Sequence, residues 1–229
     1  GIAGMNGTST ADGGGNIVGS YNIGQVSASG DPLSAAGGIV GRSICLDGAV
    51  NPPQITDCFN LGNVSGNPAG GIVGLSGQAA AGGATITTSY NAGKVAGAIA
   101  GGIIGTYVSG TVVDCYFDKT TSHVGSAAGA GTPAGITAMT TLQLIEGLPQ
   151  GFDPGVWGTG NGAAVPKMTY PYLTAMQPDA PDFDTFEWGA DNPAAAASFS
   201  IAFDGSTGVK AFNPFGANFA AIGTSGSIM

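Results

Sequence analysis

Two short motifs alternate along the first half of the chain, and they constrain its fold more than any other feature. The first reads Ser20-Tyr21-Asn22-Ile23-Gly24-Gln25-Val26, then Cys58-Phe59-Asn60-Leu61-Gly62-Asn63-Val64, then Ser89-Tyr90-Asn91-Ala92-Gly93-Lys94-Val95, with a divergent Cys115-Tyr116-Phe117-Asp118. Its consensus is small-aromatic-Asn-x-Gly-x-Val. The second reads Ala36-Gly37-Gly38-Ile39-Val40-Gly41, Ala69-Gly70-Gly71-Ile72-Val73-Gly74 and Ala100-Gly101-Gly102-Ile103-Ile104-Gly105, and Gly14-Gly15-Asn16-Ile17-Val18-Gly19 reads as a worn earlier copy. The aromatics lie 38, 31 and 26 residues apart (21 to 59, 59 to 90, 90 to 116), so the loops vary while the motif stays. Self-similarity on this scale marks a solenoid, a propeller or an array.

Each part of the unit has a physical role. The segments Ile55-Thr56-Asp57-Cys58-Phe59 and Ile86-Thr87-Thr88-Ser89-Tyr90 are rich in β-branched and aromatic residues and predict strands. Asn-x-Gly predicts a turn, in which asparagine bonds its own backbone and glycine accepts a positive φ. Gly-Gly before Ile-Val lets backbones approach closely while the aliphatic pair fills the interior. One copy has nothing to pack against, so copies must stack, at about 4.8 Å per strand layer. The expectation is an all-β fold, a β-solenoid of the β-helix kind, with Tyr21, Ile39, Cys58, Phe59, Ile72, Tyr90, Ile103, Cys115 and Tyr116 as its repeat core. Stacking in register aligns Ser20, Cys58, Ser89 and Cys115 in one column and Tyr21, Phe59, Tyr90 and Tyr116 in another. Cys58 and Cys115 then lie two layers apart, beyond the roughly 7 Å Cα limit of a disulfide, and are expected buried and reduced. Only a loop folding Cys45 back onto one of them would change that.

These alternating elements resemble the GLUG repeat of large bacterial surface proteins, including adhesin-like and IgA-peptidase-associated chains. The resemblance covers roughly residues 14 to 118 and implies a surface-exposed β-solenoid. It carries no catalytic residue set, so none is transferred.

Composition narrows the function. Glycine supplies 43 of 229 residues and only 8% are charged, yet 43% are hydrophobic and the mean hydropathy is +0.25, which opposes disorder. The formal charge is −9, and the five cations Arg42, Lys94, Lys119, Lys167 and Lys210 are scattered. Nucleic acid and anionic membrane surfaces are therefore poor partners. Glycine and polar residues interrupt every apolar run before it reaches the ~20 residues of a spanning helix, so no membrane insertion is expected. No signal peptide is visible at Gly1-Ile2-Ala3-Gly4, and a start at Gly1 suggests a processed form or a piece of something longer. The acidic composition and low lysine favour an extracellular or cell-surface location.

Three regions follow. Residues 1–130 form the repeat region and 131–177 a capping region. In the cap a short helix is expected from Thr140 to Leu148, with Thr140 or Thr141 as N-cap and Gly147 and Pro149 ending it. Phe152, Trp157, Tyr170 and Tyr172 are candidate plugs for the open end of the stack. Residues 178–229 read as a strand-rich tail in which Phe199, Ile201 and Phe203 alternate with small or polar residues, as a docking or oligomerising strand would. The tail either packs on its own chain or adds strands to a neighbouring subunit.

Catalytic constellations are sparse. The single histidine, His123, reads as a surface-loop residue, and no Gly-x-Ser-x-Gly elbow accompanies it. Asp57 and Asp114 precede equivalent cysteines, and carboxylates about 10 Å apart by stacking would suit an inverting glycosidase. The simpler reading makes them solvated acids at strand edges. Asp179, Asp182, Asp184, Glu187 and Asp191 form the densest acidic group and offer oxygen ligands for calcium, but without EF-hand spacing; no other cofactor or metal is expected. The sequence thus points to a non-enzymatic structural or adhesive module, self-associating into a fibre or array or binding a host or cell-surface ligand. A carbohydrate-active β-helix enzyme or glycan-binding module is the alternative.

Overall fold

A computed structural model describes residues 1–7, 14–30, 34–46, 51–78, 81–159 and 169–176, all within one unit, Gly1–Ala180. Among the described residues strands dominate, and one short α-helix interrupts them. Most strands fall into five parallel sheets. The first contains β2 (Asn16–Val18), β7 (Gln54–Thr56), β13 (Thr85–Thr87) and β18 (Thr111–Val113). The second contains β3 (Tyr21–Asn22), β8 (Phe59–Asn60), β14 (Tyr90–Asn91), β19 (Cys115–Asp118) and β21 (Ile136–Met139). The third contains β4 (Val26–Ser27), β9 (Val64–Ser65) and β15 (Val95–Ala96), and the fourth β5 (Ala36–Gly37), β10 (Ala69–Gly70) and β16 (Ala100–Gly101). The fifth contains β1 (Ala3–Asn6), β6 (Val40–Leu46), β11 (Val73–Ser76), β17 (Ile104–Tyr107) and β20 (Ala128–Ala130), and β12 (Ala81–Gly83) pairs with β6 antiparallel.

The register is that of the motif. Tyr21 pairs with Phe59, Phe59 with Tyr90 and Tyr90 with Tyr116, while Ile17, Ile55, Ile86 and Val112 form another paired row. Because each strand continues the same column, the main core is a set of aliphatic rows. Ile39, Ile72 and Ile103 lie in it with Val40, Val73 and Ile104, and Cys58 and Cys115 close one side. A smaller core of Ala36, Val64, Ala69 and Val95 fills the space beside the third and fourth sheets.

Four sequence expectations need correction. The copy Gly14-Gly15-Asn16-Ile17-Val18-Gly19 is not an earlier Gly-Gly-Ile-Val unit: β2 pairs with Gln54–Thr56, whereas Ala3 pairs with Val40, so Gly1-Ile2-Ala3-Gly4 occupies that place. Sheet pairing overrides the local likeness. The segments Ile55–Phe59 and Ile86–Tyr90 are not single strands. Asp57, Thr88 and Asp114 adopt left-handed φ values of 53°, 43° and 49°, and Gly19 and Gly135 do so in the flanking copies. Gly19, Asp57, Thr88 and Asp114 thereby turn the chain from the first sheet into the second, and Gly135 stands just before the last strand of the second sheet.

The third correction concerns Asn-x-Gly, whose glycine is not left-handed. A Cβ on Gly62 would lie 2.0 Å from Gly24 O, and one on Gly93 2.0 Å from Gly62 O, so glycine is required because the preceding copy passes too close. The fourth concerns the aromatics. Strand alternation sends Cys58 and Asn60 inward and Phe59 outward. Phe59, Tyr90 and Tyr116 therefore leave the main core for a second cluster with Leu144, Phe152, Trp157 and Leu173. The expected plugs lie along the side of the second sheet rather than across the end of the stack.

Candidate functional site

The densest side-chain chemistry lies where the segment after β21 folds back over the outward face of the second sheet. It begins with α1 (Thr141–Ile145), started by a capping box in which Thr140 Oγ1 accepts from Gln143 N at 3.3 Å and Gln143 Oε1 accepts from Thr140 N at 2.9 Å. The segment ends with β22 (Trp157–Gly158) and β23 (Tyr172–Leu173), which pair antiparallel, followed by a 3-10 turn, Thr174–Met176.

Beneath it the aromatic column is stacked. Ring centroids are 5.2 Å apart for Tyr21 and Phe59 and 5.4 Å for Phe59 and Tyr90, with planes within 14° and 6° of parallel. Offset stacks of this kind add about 0.5–1.5 kcal/mol per pair beyond burial. Trp157 and Phe152 pack against one another and against Tyr90. Polar tips pin the cover: Tyr90 Oη donates to Pro171 O at 2.7 Å and Tyr116 Oη to Gln150 O at 2.8 Å. Burial raises the Tyr90 and Tyr116 phenols, so both remain donors.

Asp118 is the hub. Its side chain is fully buried, yet Oδ1 accepts from Thr120 N at 2.7 Å and Thr121 N at 3.3 Å, and Oδ2 accepts from Thr141 Oγ1 and Tyr170 Oη, both at 2.6 Å. Burial alone would raise this carboxyl, but the four hydrogen bonds outweigh it and hold its pKa below the usual value. Tyr170 is raised by burial first and by Asp118 second. The carboxylate thus fastens the covering segment to the last full repeat.

Asp57 is not a solvated strand-edge acid. It is half-buried, and its Oδ1 accepts from Trp157 Nε1 at 3.0 Å and Thr88 Oγ1 at 2.6 Å. The Asp114 carboxylate lies against Gly151, where a Cβ would approach Oδ2 to 2.3 Å. The loop carrying Phe152 and Trp157 thus meets both acids.

Inside the stack the asparagines form a ladder. Asn22 Nδ2 donates to Asn60 Oδ1 and Asn60 Nδ2 to Asn91 Oδ1, each at 2.7 Å. Asn60 and Asn91 also donate to the carbonyls of Gly62 and Gly93 and accept from the same glycines' N–H groups. A backbone carbonyl only accepts and an N–H only donates, so both amide orientations are fixed. The second glycine of each Gly-Gly makes room: Cβ atoms on Gly38 and Gly71 would lie 2.4 and 2.3 Å from the Asn60 and Asn91 Cγ atoms. At the divergent copy Phe117 takes the asparagine place, its ring beneath Gly102.

The three cysteines are buried thiols, and Cys45 Sγ donates to Gly83 O at 3.9 Å. Burial pushes the Cys58 thiol up to about 11 and the Cys115 thiol to about 12, which suppresses the nucleophilic thiolate. His123 is exposed on a left-handed turn. Among the described residues no group of three or more His, Cys, Asp or Glu could hold a metal ion, and no helix is long and apolar enough to cross a membrane. Phe199, Ile201 and Phe203, and the acidic group Asp179 to Asp191, lie outside the described residues.

Sequence reasoning missed the Asp118–Thr141–Tyr170 contact, the Trp157–Asp57 bond and the continuity of the ladder. The available signal was that Asp118 replaces the small or aliphatic residue following Asn60 and Asn91. Comparison of the chain with family models, curated proteins and solved structures gives no match.

Proposed function

We propose that the chain is a β-solenoid of GLUG-like repeats that serves as a non-enzymatic structural or adhesive module at a bacterial cell surface. One observation carries the reading: from β2 to β17 three successive repeats visit the five parallel sheets in the same order, and each copy adds its strands in register to those of the copy before it. Such a stack grows by repetition and presents long, uniform outer faces, which suits display or adhesion better than a single reaction centre. The cores formed by Ile39, Ile72, Ile103, Cys58 and Cys115 and by Phe59, Tyr90 and Tyr116 supply stability, and Tyr21 extends the aromatic column.

The hydrogen bond from Trp157 gives Asp57 a packing role and counts against a paired-carboxylate enzyme. Self-association into a fibre or array through the tail remains part of the proposal, as does binding of a host or cell-surface ligand. Negative-stain imaging of the purified full chain, with glycan-array binding in parallel, tests both. Concentration-dependent filaments lost on deleting residues 179–229 support tail-mediated assembly, whereas array binding by dispersed single particles supports adhesion. Release of reducing ends from polysaccharides by the purified chain would overturn the non-enzymatic reading.

A further inference from the structure

The row Asn6, Ser43, Ser76 runs across the fifth sheet in strict register. All three side chains are at least nine-tenths buried: Asn6 is 6% exposed and both serines 0%. Ser76 is satisfied, because its Oγ donates to Ser109 O at 3.1 Å. Among the described residues Ser43 Oγ and Asn6 Nδ2 have no hydrogen-bond partner. The three positions thus contain their own control, with equal burial in one row and one acceptor supplied by the chain in a single layer only.

A buried polar group without a partner is destabilising, and two side by side are seldom left so. Asn6 Oδ1 lies on the Gly15 side of the amide, where a Cβ on Gly15 would approach it to 3.3 Å. Arg42 projects from the opposite face of β6 by strand alternation, and its Nη2 donates to Gln78 Oε1 at 3.4 Å. The pair is therefore a neutral donor beside a neutral donor-acceptor. An amide N–H repels a cation, and a single hydroxyl without a cationic neighbour does not hold an anion.

We propose that Asn6 Nδ2 and Ser43 Oγ form a binding site for one internal water molecule, which accepts from the amide and bonds the hydroxyl as the Ser109 carbonyl does for Ser76. Internal waters make about 2–4 hydrogen bonds, so these two groups meet the lower requirement. The water links β1 to β6 where side-chain packing alone would leave their polar atoms unpaired.

A crystal structure of the full chain at a resolution that orders solvent tests the site. The expected result is one solvent peak within hydrogen-bond distance of both Asn6 Nδ2 and Ser43 Oγ, absent from Ser43→Ala. In solution, water-oxygen relaxation dispersion should count one fewer long-lived water in Ser43→Ala than in the unsubstituted chain. An empty position in the unsubstituted chain, or Asn6 Nδ2 bonded directly to a protein carbonyl, would overturn the proposal. If Ser43→Ala does not fold, the unsubstituted crystal alone decides.

Discussion

Replacing Asn60 by alanine tests the ladder most directly. Asn60 is fully buried and makes four hydrogen bonds: to Gly62 O at 2.8 Å, to Asn91 Oδ1 at 2.7 Å, from Gly62 N at 3.2 Å and from Asn22 Nδ2 at 2.7 Å. At about 0.5–1.5 kcal/mol net per bond, the loss is roughly 2–6 kcal/mol, before any penalty for the groups left behind. Some relief exists, because Gly62 N also donates to Asn22 O and Asn91 Oδ1 still accepts from Gly93 N. The expected cost is therefore about 3–5 kcal/mol, a large share of the roughly 5–15 kcal/mol that holds a domain together. Asn22, half-buried at the end of the ladder, makes two bonds of 2.7 Å, to Gly24 O and Asn60 Oδ1, and its alanine variant should cost about 1–2 kcal/mol. Urea unfolding followed by circular dichroism reads the difference as a lower midpoint for Asn60→Ala at unchanged slope. Equal midpoints for the two variants would refute the claim that the interior rung carries more than the end rung.

Other perturbations have equally definite outcomes. The Asp118 carboxyl is depressed in the folded state, so its contribution is complete above the unfolded carboxylate pKa and disappears as pH falls through the lower folded value. Asp118→Asn should flatten that acid limb of a stability-versus-pH curve, and an unchanged limb would contradict the hub. Tyr170→Phe removes one of the 2.6 Å bonds to that carboxylate and should cost about 1.5–3 kcal/mol in the same unfolding assay. Cys58 and Cys115, with thiols pushed up to about 11 and about 12, should ignore a disulfide reagent at pH 8 until denaturant is added, and fast labelling of the native chain would argue against their burial. Gly71→Ala places a Cβ 2.1 Å from Gly102 O and should abolish folding, whereas Gly4→Ala meets nothing within 4 Å and should leave the melting temperature nearly unchanged.

How far the sequence reached differs from residue to residue. It placed Tyr21, Phe59, Tyr90 and Tyr116 in one column, because a conserved spacing of side-chain types can be satisfied together only when copies pair in register. It likewise anticipated buried, unpaired Cys58 and Cys115 and the capped helix after Thr140. It misread the strands crossing Asp57 and Thr88, since left-handed aspartate and threonine leave no compositional mark of the kind that glycine leaves.

By itself, then, the sequence determined the repeating unit, its strand character and its register, all of which follow from residue type and spacing along one chain. Only the tertiary structure decided which face each aromatic occupies, why the Asn-x-Gly glycine must lack a side chain, and that Asp118, Thr141 and Tyr170 share one contact. Those outcomes depend on the distance between segments remote in sequence, and that distance exists only once the copies have stacked and the segment after them has folded back.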